Sequence, residues 1–286
     1  MNNRRFGDRL ATGLFWLAGA VILGILLFYL IFIFWKGINV LTPHFLLSPP
    51  KEVAAGGGVG PELFNTFYIL FLSLLFSLPV GLGAGIYLAE YARSNRLTYI
   101  VRLSTESLAT VPSIVLGLFG MIIFVNAIGL GFTILGGAAT LALLNLPVLV
   151  RVTEETLRAV PFSYREASLA LGATQWQTIR RVILPACFPG LITGVTLVAG
   201  RALGESAILI FTAGLSVSRH AFDFNLFVPG ETLAVHLWYV NAEALAPDKD
   251  AIAAGTSALL VLVVLIFNLA IGLPSRLLQR RLTGNK

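Results

Sequence analysis

Long apolar stretches alternate with short polar segments along this chain, and most of those segments are cationic. An α-helix needs about 20 apolar residues to cross roughly 30 Å of hydrocarbon, so charge-free runs count crossings directly. Ala11 to Trp35 predicts a first span and Leu63 to Ala89 a second. No charge occurs between Ser107 and Val150, a run that as one helix would extend about 66 Å, too long for a single crossing. It is expected to hold the third and fourth spans, with NAIGLG at Asn126–Gly131 supplying the turn. A fifth span is expected from about Pro185 to Gly214 and a sixth over Ala251 to Pro274.

The distribution of Lys and Arg orients these six spans, because cytoplasmic loops are enriched in both. With the N-terminus inside, 15 of the 20 basic residues fall on the cytoplasmic side; Lys36, Lys51, Arg219 and Lys249 lie outside and Arg201 lies within a span. The first span exceeds the apolar core of a signal peptide and no small-residue cleavage site follows it. The expected organisation is a cytoplasmic segment 1–10, one six-span transmembrane domain over 11–274, and a cytoplasmic segment 275–286, with both termini on the same side.

Composition agrees with that reading: 57% of the 286 residues are hydrophobic and only 12% are charged, with a mean hydropathy of +0.86. This is an all-α integral membrane protein with lipid as its solvent. The net charge of +6 does not imply nucleic acid, because the cations are spread over loops and not gathered on one face. A single cysteine, Cys187, excludes an internal disulfide and a cysteine-based zinc site, and no metal site is expected. Of the two longer outer segments, the one ending in AAGGGVGP reads as a flexible turn, with a backbone anion nest as its alternative. The segment from Leu215 to Asp250, with Asp223, Glu231, Glu243, Asp248 and Asp250, reads as an acidic surface.

One polar segment carries more information than the rest. After Pro161 and Phe162, Ser163 with Glu166 makes a capping-box pattern for a short helix to Leu171; Gly172 allows a left-handed turn; Thr174 with Gln177 repeats the pattern for a second short helix ending at Pro185. Small Ala167, Ser168, Ala170 and Ala173 permit close approach, and Leu169, Leu171 and Trp176 offer apolar contact. The residues alone leave two readings open, a docking surface and an amphipathic loop lying on lipid headgroups. The spacing of Glu166, Ala167, Gly172, Leu184 and Pro185 resembles the EAA loop of ABC importer permeases. Ser168 stands where that family usually has a second Ala, and Val182 at the usual Ile. The resemblance implies a MetI-like type I importer fold and a loop over 161–185 that sits in a groove of a cytoplasmic ATPase.

Nothing in the chain matches a phosphate-binding P-loop, and its four lysines, Lys36, Lys51, Lys249 and Lys286, stand in no such context. ATP and Mg are therefore expected on a partner, and no catalytic residue is assigned. No H-E-x-x-H or G-x-S-x-G motif occurs either, which removes the visible chemistry of an intramembrane hydrolase.

Arg201 and Glu205 sit within the fifth span, where each charge costs at least about 2.5 kcal/mol on insertion scales. At i and i+4 of one helix they would share a face and neutralise each other. Alternatively Arg201 offers a planar fork to an oxyanion in transit, with Glu205 holding it at rest and Ser206 adding a donor. Asn145, Pro147 and Pro112 read as packing features or as openings toward a cavity. Gly81 with Gly85 and Ser113 with Gly117 have the small-xxx-small spacing of close helix packing.

The stretches PVGLGAGIYLAEYA from Pro79, GRALGESAILIFTAG from Gly200 and ETLAVHLWY from Glu231 resemble the PstA family of phosphate-importer permeases. That resemblance implies transport of inorganic phosphate across a bacterial or archaeal plasma membrane. It also implies four kinds of neighbour: a PstC-like sibling permease, two PstB-like ATPase subunits, an external PstS-like phosphate-binding protein, and membrane lipid. Sulfate, molybdate or another oxyanion is the neighbouring alternative, and a membrane scaffold or sensor that recruits a cytoplasmic protein is the alternative of another class.

Overall fold

The computed structural model describes residues 2–51, 53–215 and 222–283; Arg219 and Lys286 lie outside them. The chain is all-helical among the described residues. A long α1 (Asn2–Gly37) leads through a tight turn at Ile38–Val40 into short α2 (Pro43–Leu47). Helix α3 (Gly60–Ile86) continues through a π-helical turn at Tyr87–Tyr91, followed by α4 (Arg96–Thr110) and α5 (Ser113–Gly120), which ends in a π-helical stretch over Met121–Ala127. Next come α6 (Ile134–Arg158), α7 (Phe162–Ala170) and α8 (Gln175–Thr178). A π-helical turn at Ile179–Ile183 joins α8 to α9 (Leu184–Leu203), and α10 (Ala207–Thr212), α11 (Leu233–Ala242) and α12 (Lys249–Thr283) complete the chain.

Helix α6 is the centre, packed by α3, α9, α10, α4 and α5. Its apolar residues Leu141, Leu144 and Leu149 are buried, and Leu141 and Leu144 meet Ile69, Leu72, Leu203, Ile208 and Leu209 in one core. Gly81 and Gly85 let α3 approach α6 so closely that an added Cβ would collide with Leu149 and Thr153, and Gly117 gives α10 the same access to α5. Peripheral α1 packs along α12 and leaves Phe15, Trp16, Ile22 and Phe28 exposed, the pattern of a helix solvated by lipid.

Five helical stretches are long and apolar enough to cross a membrane: Leu10–Val40, Gly60–Tyr91, Ile134–Arg158, Gln175–Leu203 and Lys249–Pro274. The predicted third span differs in form. Arg96–Thr110 and Ser113–Ala127 meet at a 101° bend, so Ser107 to Thr110 belong to a separate helix, and a single crossing here requires both members of the bent pair. Pro112 is the reason: it drives Val111 into an extended conformation and cannot itself continue a helix from the preceding turn. The turn expected at Asn126–Gly131 is present, with Gly129 and Gly131 both at positive φ.

Two further expectations need correction. The fifth span stops at Leu203; Gly204 to Ser206 break it, and α10 turns onto α5 and α6 and does not continue the helix to Gly214. The second short helix does not end at Pro185 either, because helix runs without interruption from Gln175 to Leu203. The π-helical turn before Pro185 widens the backbone where its ring would otherwise strike a preceding carbonyl.

The segments expected on the outer side also differ from their reading in the sequence. The Gly-rich stretch folds back onto α2, where the N–H groups of Gly58, Val59 and Gly60 donate to carbonyls of Pro49, Phe45 and Ser48. Gly56 N–H donates to Asp248 at 2.8 Å. With those donors spent, the stretch is neither a loose turn nor a free anion nest. Glu231 is fully buried and so is not part of an acidic surface.

Candidate functional site

Two ends of the bundle carry the polar chemistry. At one, α7 and α8 form a helical hairpin. Its turn is Gly172, at φ +82°, where a side chain would be strained. Gly172 N–H donates to Leu169 O at 2.9 Å, and Ser168 Oγ meets Thr178 Oγ1 at 2.9 Å across the hairpin. The capping box predicted at Thr174 and Gln177 is complete. That predicted at Ser163 is absent: Pro161 occupies the N-cap position and no side chain caps the helix, because α7 starts at Phe162, two residues before a cap at Ser163 would place it.

Of the residues expected to contact an ATPase, Glu166, Ala167, Gly172 and Pro185 are exposed and Leu184 is half-buried. Ser168 is buried and serves the inside of the hairpin, so its side chain belongs to the support and not to the outer face. The outer face is apolar, with Phe162, Tyr164, Leu169, Leu171 and Trp176 all exposed, Leu171 to 89%. A hollow of about 500 Å³ lies between α7 and the following turn, lined by Tyr164, Ala167, Leu171 and Val182 among others.

Sequence reasoning missed what fastens this hairpin. Arg165 Nη2 lies 2.6 Å from Glu90 Oε1, and Arg165 Nε lies 3.2 Å from each Glu90 oxygen. The same guanidinium donates to Val160 O and Leu157 O, both at 2.8 Å, so all three of its nitrogens are engaged. Gln175 Nε2 adds a bond to Glu90 O at 2.8 Å. The pair is 13% and 8% exposed, and it ties α7 and the end of α6 to the π-helical turn that follows α3. In the sequence Glu90 stands within LAEYA, and no local signal links it to a residue 75 positions away. Beside it, Glu154 binds Arg102 of α4 at 2.8 Å and Arg158 at 3.0 Å, lining a charged cleft of about 780 Å³ that also includes Pro147. Asn145 is buried.

At the far end, Arg201 occupies the last turn of α9, roughly 24 Å along the helix from Pro185. Its expected face-sharing with Glu205 fails because the helix has ended between them. Glu205 instead accepts from Ile208 N–H at 3.4 Å, a bond at the start of α10. Arg201 is exposed and forms no ion pair among the described residues, so Glu205 does not hold the guanidinium here. The broken stretch opens on a groove of about 490 Å³ lined by Gly204 and Ser206 on one side and by Ala234, Leu237, Trp238 and Asn241 of α11 on the other. The fold therefore places Ser206, but not Glu205, in that groove.

Replacing Gly172 with proline tests the hairpin directly. Proline fixes φ near −65° and has no N–H, so it opposes both the +82° backbone and the bond to Leu169. A local cost above about 1 kcal/mol follows. The hairpin should then be cut faster by limited proteolysis while the remaining helices stay protected.

A helical bundle of five candidate spans and one bent pair, carrying an apolar hairpin at one end and a groove at the other, defines a multi-pass membrane protein. Residues 81–284 match the family described as binding-protein-dependent transport system inner membrane component, and the chain belongs to that family. It is 46% identical to a probable ABC transporter permease protein, YqgI, of Bacillus subtilis, over 99% of this chain and all of that one. It is 35% identical to the phosphate transport system permease protein PstA of Haemophilus influenzae, over 93% of each chain. Among solved structures, a bacterial ABC transporter for alginate in complex with a pentasaccharide-bound periplasmic protein matches with a TM-score of 0.64 at 16% identity, over 91% of this chain and 94% of that one. The MetNI methionine ABC transporter in an inward-facing conformation matches with a TM-score of 0.60 at 23% identity, over 77% and 94%. The fold is thus the MetI-like type I permease fold, and the chain is a permease component of an ABC importer.

Proposed function

We propose that this chain is the PstA-type permease of an ATP-driven inorganic phosphate importer, itself non-catalytic and forming half of the translocation path. In this reading the hairpin faces the cytoplasm, both termini lie on that side of the plasma membrane, and Glu166, Ala167 and Leu171 meet one of two PstB-like ATPase subunits that bind ATP and Mg. A PstC-like sibling supplies the other half of the path, and a PstS-like protein delivers phosphate from outside. Closure of the ATPases would push the hairpin, and the Arg165–Glu90 lock would carry that shift into α3 and α6 as a rigid-body movement.

The observation that carries the reading is Arg201. It is an exposed guanidinium without an ion-pair partner among the described residues, three residues before a groove, on a helix that begins at the hairpin. A permanently charged planar fork suits a tetrahedral oxyanion better than a neutral or cationic solute. Its deciding experiment is uptake into vesicles holding the assembled complex, with ATP inside and the receptor outside. Labelled phosphate should accumulate and unlabelled phosphate should compete, while sulfate and molybdate should not. Competition by sulfate or molybdate would reassign the substrate, and ATP-independent partner binding without any uptake would indicate a scaffold.

A further inference from the structure

At the end of the bundle opposite the hairpin, three titratable side chains meet away from solvent: Glu62 in the first turn of α3, Glu231 just before α11, and His236 in α11. Glu62 and Glu231 are 0% exposed and His236 is 3% exposed. One donor atom from each lies within 4.8 Å of the other two, and His236 Nδ1 lies 3.4 Å from Glu231 Oε1. Neither carboxylate oxygen of Glu62 has a hydrogen-bond partner, and neither does His236 Nε2.

The backbone around the triad is fixed independently of these side chains. Thr66 Oγ1 donates to Glu62 O at 2.6 Å and accepts from Leu233 N–H at 2.9 Å; Asn65 Nδ2 donates to Glu231 O at 3.2 Å. Three ionisable groups are thus held together in a dry place where ionised carboxylates need a compensating cation. Two carboxylates with a neutral imidazole carry a charge of −2, which one divalent ion cancels.

We propose that Glu62, Glu231 and His236 bind a divalent transition-metal ion of the zinc class. An O, O, N donor set with an imidazole favours zinc over magnesium or calcium, and three protein ligands leave a fourth position for water. Tetrahedral coordination at roughly 2.1 Å places donor atoms about 3.4 Å apart, the spacing already present between His236 and Glu231. A narrow cleft lined by Lys51, Gly58, His236 and Tyr239 reaches the imidazole from the outer segment. The ion latches the start of α3 to α11, whose next residues line the groove beside Ser206. This assignment does not depend on phosphate being the transported solute.

The test uses the full chain, purified in detergent without chelator, loaded with zinc and dialysed exhaustively. Elemental analysis should find about one zinc per chain, and Glu62→Gln and His236→Gln should each lower occupancy by about tenfold or more, since even loss of an outer-shell partner costs that much. Because either variant risks misfolding, cobalt is also loaded into the unaltered chain, where it should give the intense visible bands of tetrahedral coordination and raise the melting temperature. Absence of bound zinc and cobalt in the unaltered chain would overturn the proposal and leave the triad as a proton-sharing network. Zinc retained equally by both folded variants would overturn it too.

Discussion

Uptake of the proposed phosphate substrate by the assembled importer should collapse when Arg201 is replaced by glutamine, while the complex still forms. Arg201 is exposed and pairs with no carboxylate among the described residues, so its removal leaves no buried charge behind. The loss is therefore expected in transport and not in stability. Charge-assisted hydrogen bonds contribute about 1.5–3 kcal/mol, which corresponds to a fall in uptake of roughly 10- to 150-fold. Lysine at the same position keeps the charge but loses the fork, and should recover only part of the activity. The measurement is initial uptake rate at matched complex concentration, with assembly checked by size-exclusion chromatography. Unchanged uptake in Arg201→Gln would remove this residue from the path.

Arg165→Ala should act at the other end and in a different way. It leaves Glu90, 8% exposed, without the guanidinium that meets both its oxygens, and removes two caps from the carbonyls of Leu157 and Val160. Breaking one side of a buried pair costs about 3–5 kcal/mol. The hairpin should loosen from α3 and α6, so ATP hydrolysis by the complex should continue with little or no uptake. Adding Glu90→Gln to Arg165→Ala removes the orphaned charge and should restore much of the thermal stability. Coupling should stay lost in that double variant, because the rigid link has not been rebuilt. If the double variant transports normally, the pair has only a folding role.

Much of the membrane architecture was legible from residue order. Runs such as Ala11 to Trp35 and Ala251 to Pro274 are long enough and apolar enough that no other solvent suits them. The turn after Asn126 and the left-handed turn at Gly172 were equally legible, since glycine placement is a local property of the chain. The bend at Val111–Pro112 and the stop at Gly204 were not. Each lies inside an expected span, where hydropathy is blind to direction, and the cue for a bend is only a proline or glycine, and proline elsewhere in this chain is tolerated within a helix, as at Pro79 and Pro147. The Arg201–Glu205 pairing failed for this reason: an i, i+4 argument presumes the helix continues.

What the order of residues determined alone is a chain of membrane-crossing helices with a polar segment that turns at Gly172, because helix length, apolarity and glycine placement are short-range properties. Only the tertiary structure decided that Glu90 grips Arg165, that Ser168 faces inward, and that Glu62, Glu231 and His236 share one dry site. Those partners stand tens to well over a hundred positions apart or depend on which face of a helix meets its neighbour. Packing chooses both, and no local pattern encodes either.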